Sequence, residues 1–252
     1  MPHVRIKGFV VREVPVGESD RIIGLLTEEQ GLINVSARGV RRSRSPHLMT
    51  TQVFAYSEFE LFQNKGHYSL NASELIEPYL QLQKDLDRLV CAAHLAEVLV
   101  DCMRDDIAQP ALFRLWAYSM QAMQSSPDPL LAVHVAQWRM LAEIGLSPRL
   151  DSCVQCGRKQ EQIHSFSISS CGLVCSRAEC LSRTFDAVPL SPGAWSCLSY
   201  CQTAPLARLF NFTVMPDIRS MVIDLSSRYL VHQLEKPYTK LDMLKAIQPD
   251  TT

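Results

Sequence analysis

Apolar residues in the first 76 positions fall into short runs at 4–14, 21–27, 32–37, 53–62 and 67–76, rich in Val, Ile, Phe, Tyr and Leu. Within the fourth run Glu58, Phe59, Glu60 and Leu61 alternate polar and apolar, as a strand with one wet face requires. Turn-forming residues separate the runs: Pro15 with Gly17, the stretches 28–31 and 39–46, and Asn64-Lys65-Gly66. Five short strands with no room for a crossover helix predict a small antiparallel barrel, and the five-stranded OB type is the natural candidate. Tyr56 and Phe62 are the ring side chains this pattern leaves outside the barrel.

After Pro78 the period changes. Leu82, Leu86, Leu89, Val90, Ala93, Leu95, Ala96, Leu99 and Val100 recur at three- and four-residue spacing, which predicts an amphipathic helix over 81–103. A second helix is expected over 110–123. A third is punctuated by Asp128 as cap, Pro129 in the first turn, where a missing N–H costs nothing, and Gly145 as a stop. A cysteine-rich stretch then interrupts the pattern, which resumes over 191–247. The fold expected is α+β and multidomain: an OB-type barrel over 1–78, then a mainly helical domain over 79–252 with an insert at about 150–185.

The chain has 252 residues, 47% hydrophobic and 20% charged, ordinary globular usage that excludes wholesale disorder, collagen and coiled coil. No run approaches the roughly 20 apolar residues of a membrane span, and no signal peptide is recognisable, so a cytoplasmic protein is expected.

Nine cysteines in such a setting point away from disulfides. Five of them, Cys153, Cys156, Cys171, Cys175 and Cys180, fall in one short stretch. Cys153-x2-Cys156-Gly157 and Cys175-x4-Cys180 can bring paired thiolates to one tetrahedral Zn2+ from two turns, the glycine allowing a tight bend beneath the metal. Such an ion would be structural, replacing a core that so short a segment cannot build. Cys171 is an alternative ligand, because Cys171-x3-Cys175 is also acceptable spacing. Cys91, Cys102, Cys197 and Cys201 lie on apolar helical stripes and read as core.

The formal net charge is −1, yet from Gln30 to Ser57 the chain carries Arg38, Arg41, Arg42 and Arg44 and no acidic residue. Guanidiniums grouped on one inter-strand loop, with serines around them, can neutralise phosphates without reading bases. P-loop, G-x-S-x-G, dinucleotide, HExxH and deaminase patterns are all missing from the sequence. His94 and Glu97 sit on a helix among apolar neighbours, and Gly17-Glu18-Ser19-Asp20 reads as a turn into the second strand. No enzyme is expected. A zinc-braced protein adaptor that never touches DNA is the alternative, with a nucleic-acid-processing enzyme behind it.

Several of these stretches together resemble the bacterial RecO family of recombination mediators. At the N-terminal end they are Gly8-Phe9-Val10-Val11, Gly17 to Asp20, Gly31-Leu32-Ile33 and Ala37 to Arg42. Further on come Ile144 with Gly145, Pro148 to Cys156 with Gly157, Phe166 with Ser167, Gly172 to Cys175, Arg228-Tyr229-Leu230 and His232 to Pro237. The resemblance implies an OB fold, a helical domain and four zinc-binding cysteines. It implies binding of single- and double-stranded DNA, annealing of complementary strands, and work with RecR to load RecA onto DNA coated by single-stranded DNA-binding protein. It places the protein in the bacterial cytoplasm, at the nucleoid during repair, and implies that the acidic, hydrophobic tail of single-stranded DNA-binding protein docks on the helical domain. Arg114, Arg139 and Arg149 are the cations available there, beside Trp116 and Trp138. This sequence departs from the family pattern where Ala178 precedes Cys180 in place of a second C-x2-C, and where Cys171-Gly172 replaces the common Gly-Gly.

Overall fold

The computed structural model describes residues 3–104, 107–159 and 165–247, and the chain folds as two compact units, Met1–Gln124 and Ser125–Thr252. In the first, strands β1 (His3–Val16), β2 (Asp20–Thr27), β3 (Gly31–Ala37), β4 (Tyr56–Asn64) and β5 (His67–Glu77) close a barrel in the order β1-β2-β3-β5-β4. Neighbours run antiparallel except β3 and β5, which pair in parallel at Val35–Tyr68 and Ser36–Ser69. Alternation along each strand sends Ile6, Val10, Ile23, Leu25, Ile33, Val35, Phe59 and Leu61 inward to a single core. A bulge in β1 between Val10 and Arg12 shifts its register against β2. Residues 53–55, expected in the fourth strand, lie before it: Phe54 has φ +77° and donates its N–H to the Val10 carbonyl at 2.7 Å.

The helix expected over 81–103 is two helices, α1 (Leu80–Lys84) and α2 (Leu86–Cys102). They break at Asp85, which is extended, and its carboxylate accepts the Arg88 N–H at 3.2 Å. An aspartate competes with the helix for backbone donors, and here it caps the second helix in place of continuing the first. Helix α3 (Pro110–Ser125) completes the unit, and Phe113 and Trp116 pack against Phe9 on the outside of β1.

The second unit is built on α4 (Pro129–Glu143), α6 (Pro192–Thr203) and α7 (Pro216–Leu234). Asp128 caps α4 as expected, accepting from Leu131 N, and the same carboxylate takes two hydrogen bonds from the Arg219 guanidinium on α7. Between α4 and α6 lies a small sheet of β6 (Ser165–Ser167), β7 (Gly172–Val174) and β8 (Val188–Pro189), in the order β7-β6-β8, with the short helix α5 (Ala178–Leu181) inserted. Phe166 of β6 meets Trp138 and Tyr229, which ties the insert to the helices. The stretch Ile163 to Val174 reads in the sequence as hairpin-like; it begins outside the described residues, and its remainder forms the antiparallel pair β6 and β7. Helix α8 (Asp242–Ile247) follows α7. No helix among the described residues is long and apolar enough to cross a membrane.

Candidate nucleic-acid interface and metal centre

The connection from β3 to β4 is a series of hydrogen-bonded turns held at both ends by adjacent residues of β2. At its start Asp20 Oδ1 accepts the Gly39 N–H at 2.7 Å. Towards its end the buried Arg21 donates to the Thr51 carbonyl at 3.1 Å while pairing with Glu13. In between, the Arg41 N–H donates to the Ser19 carbonyl and the Arg41 guanidinium to the Gly17 carbonyl at 3.1 Å. The tetrapeptide from Gly17 to Asp20 is thus the turn into β2 that the sequence implied, and it doubles as a bracket for the basic loop.

Arg38, Arg41, Arg42 and Arg44 are all exposed, and none of them forms an ion pair among the described residues. The Gly39 N–H and the Ser19 hydroxyl, with Arg38 and Arg42 nearby, hold the Asp20 carboxyl below its ordinary value of 3.8. That carboxylate therefore stays ionised and keeps its hydrogen bonds in neutral solution. The expected exposed rings are half-buried: Tyr56 stacks on Phe9 with centroids 4.4 Å apart, and Phe62 lies against His3 at 4.2 Å. Strand ends carry neighbours that parity alone does not reveal.

The arginines considered for a partner are differently placed. Arg114 is exposed and paired with Glu28 at 2.9 Å. Arg139 is mostly buried, bonded to Glu143 at 2.6 Å and to the Ala204 carbonyl at 2.8 Å, so its charge is committed to closing the end of α6. Arg149 is exposed, and its backbone pairs with the cysteine-rich segment through Cys171 O and Leu173 N. Trp116 and Trp138 are core residues and offer no outer wall. His94 is likewise buried on α2.

Five cysteines compete for four places in the metal knuckle, and the fold separates them. The sulfurs of Cys153, Cys156, Cys175 and Cys180 all lie within 4.8 Å of one another. Cys156 and Cys175 are 3.9 Å apart, close to the roughly 3.8 Å edge of a tetrahedron with Zn–S bonds of about 2.3 Å. Gly157, at φ +71°, makes the bend beneath the first pair and returns its N–H to the Cys153 carbonyl. The second pair owes its spacing to α5: Ala178 starts the helix, and one turn brings Cys180 back to the cluster.

Cys171 stands outside the cluster and accepts a hydrogen bond from Gln233 Nε2 of α7 at 3.1 Å. It has φ +53°, the left-handed region that favours glycine. Its backbone conformation is what a Gly-Gly pair would adopt without strain.

Burial opposes ionisation of Cys153, but N–H groups of Cys175, Cys156 and Gln155 aimed at its sulfur bring the thiol down to about 6. Cys180 is pushed up to about 12, chiefly by its hydrogen bond to Cys175 and then by burial. Four sulfurs this close cannot all ionise unless a cation sits among them, and a soft divalent ion suits such a donor set. The other four thiols, Cys91, Cys102, Cys197 and Cys201, are buried as expected.

Over residues 1–79 the chain matches the family described as Recombination protein O N terminal, and over 83–242 the one described as Recombination protein O C terminal. The chain belongs to the recombination protein O family. Within it, the chain is 34% identical to the DNA repair protein RecO of Acetivibrio thermocellus over 248 residues, 98% of each. It is 31% identical to the DNA repair protein RecO of Bacillus pumilus over 226 residues, 90% of this chain and 87% of the relative. The DNA repair protein RecO of Bacillus velezensis is 33% identical over 208 residues, 82% of this chain and 77% of the relative. The chain thus carries both family segments, with its barrel within the first and its cysteine cluster within the second.

Proposed function

We propose that this chain is a non-enzymatic mediator of DNA repair and recombination. It binds single- and double-stranded DNA, anneals complementary strands, and helps RecR load RecA onto DNA coated by single-stranded DNA-binding protein. The observation that carries this reading is the loop of Arg38, Arg41, Arg42 and Arg44, held against β2, with all four arginines exposed and none in an ion pair among the described residues. A fixed positive rim of that kind displaces counterions from phosphates whatever the base sequence. Annealing needs no bond chemistry, only two strands brought together with their repulsion screened.

Cys153, Cys156, Cys175 and Cys180 would hold Zn2+, which when bound supplies a structural cross-link. All four positions are filled by sulfur, which leaves no place for a reacting substrate. The tail of single-stranded DNA-binding protein, acidic and apolar, is assigned to the helical part of the chain. In the first unit Arg114 offers a surface ion pair that a carboxylate can exchange; separately, in the second unit Arg149 offers an exposed cation, while Arg139 takes part only by giving up its contacts at α6.

The test is a titration with labelled single-stranded and duplex oligonucleotides at two salt concentrations, followed by an annealing assay with strands coated by single-stranded DNA-binding protein. Salt-dependent binding of both, with annealing, is the expected result. A chain that binds neither at low salt is not this mediator, and the adaptor reading takes its place.

A further inference from the structure

Phe185, beyond the cysteine knuckle, is 100% exposed, the most open large apolar residue among those described. Its neighbours on both sides are anchored. Thr184 is buried and its hydroxyl donates to the Cys180 carbonyl of α5 at 2.8 Å. The Asp186 carboxylate accepts from the Ser167 hydroxyl at 2.6 Å and from the N–H and hydroxyl of Ser169, both at 2.8 Å. With Thr184 tied to α5 and Asp186 to the end of β6, the backbone holds the ring between them out in solvent. Two positions earlier stands Arg183, exposed and in no ion pair among the described residues.

Three residues beyond Phe185 the chain enters the wall of a groove of about 420 Å³ between β8 and α7. Val188, Pro189, Met221 and Leu225 make its apolar lining, and Asp217 and Asp224 stand exposed on its α7 side. Asp224 is paired with Arg228 at 3.2 Å. Asp217 is in no ion pair among the described residues, so it is the carboxylate of the groove left to meet a cation.

We propose that Phe185 of one copy of the chain seats in the groove between β8 and α7 of a second copy, with Arg183 against the Asp217 carboxylate, and that the second copy returns the same contact. A phenyl ring offers about 150–250 Å² for burial, and the groove is apolar and roomy enough to take it. Cation and carboxylate are of opposite sign, so an approach that seats the ring also pairs the charges. Ring and groove are three residues apart, and a two-fold axis between them closes both contacts at once, which ends the assembly at two copies. Because its neighbours are already fixed, the ring loses little freedom on docking. The surface covered is small, so the pair is weak and depends on concentration. This contact does not depend on the DNA-binding reading; if that reading holds, two joined copies carry two arginine loops and one complex can hold both strands to be annealed.

Sedimentation velocity of the full-length chain from about 1 to about 200 μM is expected to show monomers giving way to dimers. Phe185→Ser should raise the dissociation constant at least about tenfold, and Ser220→Trp, which fills the groove from α7, should do the same. Both residues are exposed, so circular dichroism and melting temperature stay those of the wild type. An equimolar mixture of the two variants, labelled with donor and acceptor dyes, tests the geometry. The Ser220→Trp copy keeps its ring and the Phe185→Ser copy keeps its groove, so mixed pairs should form at concentrations where neither variant pairs with itself. A wild-type chain that stays monomeric throughout, a dimer indifferent to Phe185→Ser, or a mixture without energy transfer overturns the proposal.

Discussion

The carboxylate of Asp20, the first residue of β2, accepts the backbone N–H of Gly39 at 2.7 Å and so fixes the arginine loop to the strand that pairs with β3. Asp20→Ala removes that acceptor. Amide exchange over residues 38–45 should rise about tenfold, in line with the loss of one charge-assisted hydrogen bond of about 1.5 kcal/mol. Hydrogen exchange by mass spectrometry checks this, and protection equal to wild type would show that Arg41 and its carbonyl partners hold the loop unaided.

Replacing Arg41 and Arg42 by Ala should weaken oligonucleotide binding. It should also flatten the dependence of log affinity on log salt by about 1.4 for a single strand, from two lost phosphate contacts. Fluorescence anisotropy at several salt concentrations gives the slope directly. An unchanged slope removes these two residues from the phosphate path.

Metal content separates the five cysteines of the insert. Cys175→Ser should abolish stoichiometric zinc in elemental analysis and lower the melting temperature, and a chelator should do the same to the wild type. Cys171→Gly should retain the metal and be neutral or stabilising by up to about 1 kcal/mol, because it relieves a left-handed cysteine. Loss of zinc from the Cys171 variant would contradict the cluster described above.

Asp128 binds both the first turn of α4 and the guanidinium of Arg219, and Asp128→Ala is expected to cost about 2 kcal/mol. Although burial opposes it, the Arg219 contact keeps the Asp128 carboxyl below its ordinary 3.8. The folded chain therefore holds its proton less tightly than the unfolded chain does. The stabilising contribution is complete above about pH 4 and fades as the pH falls below it. Urea titrations of wild type and variant at pH 6 and about pH 3 should show their difference shrinking at the lower pH.

Much of this was legible in the residues. Alternation placed the strands, because a barrel this small has one inside and one outside and each strand must obey both. Cap and stop residues placed α4. Cysteine spacing brought four sulfurs together, with Cys180 chosen over Cys171 even though Ala178 spoils a second C-x2-C. What the pattern missed depends on contacts from elsewhere in the chain. Asp85 reads as one more polar residue in a helical period until its carboxylate turns to cap the next helix. Tyr56 and Phe62 read as outward-facing until Phe9 and His3 are seen beside them. Arg139 looks like any surface cation, and only the return of α6 shows its charge spent on carbonyls.

The parallel pairing of β3 with β5 spans only two residue pairs, yet it is what turns the sheet into a ring. Each hairpin beside it, β1 with β2, β2 with β3 and β4 with β5, can zip from its own turn. The seam must wait until the long arginine connection has brought distant stretches of chain together, a late event in assembly. Tyr68, whose hydroxyl donates to Gln30 and accepts from Gln63, rivets the seam at one edge. Under load the ring should part there first, and the segment set swinging by that rupture is the one that carries the arginines.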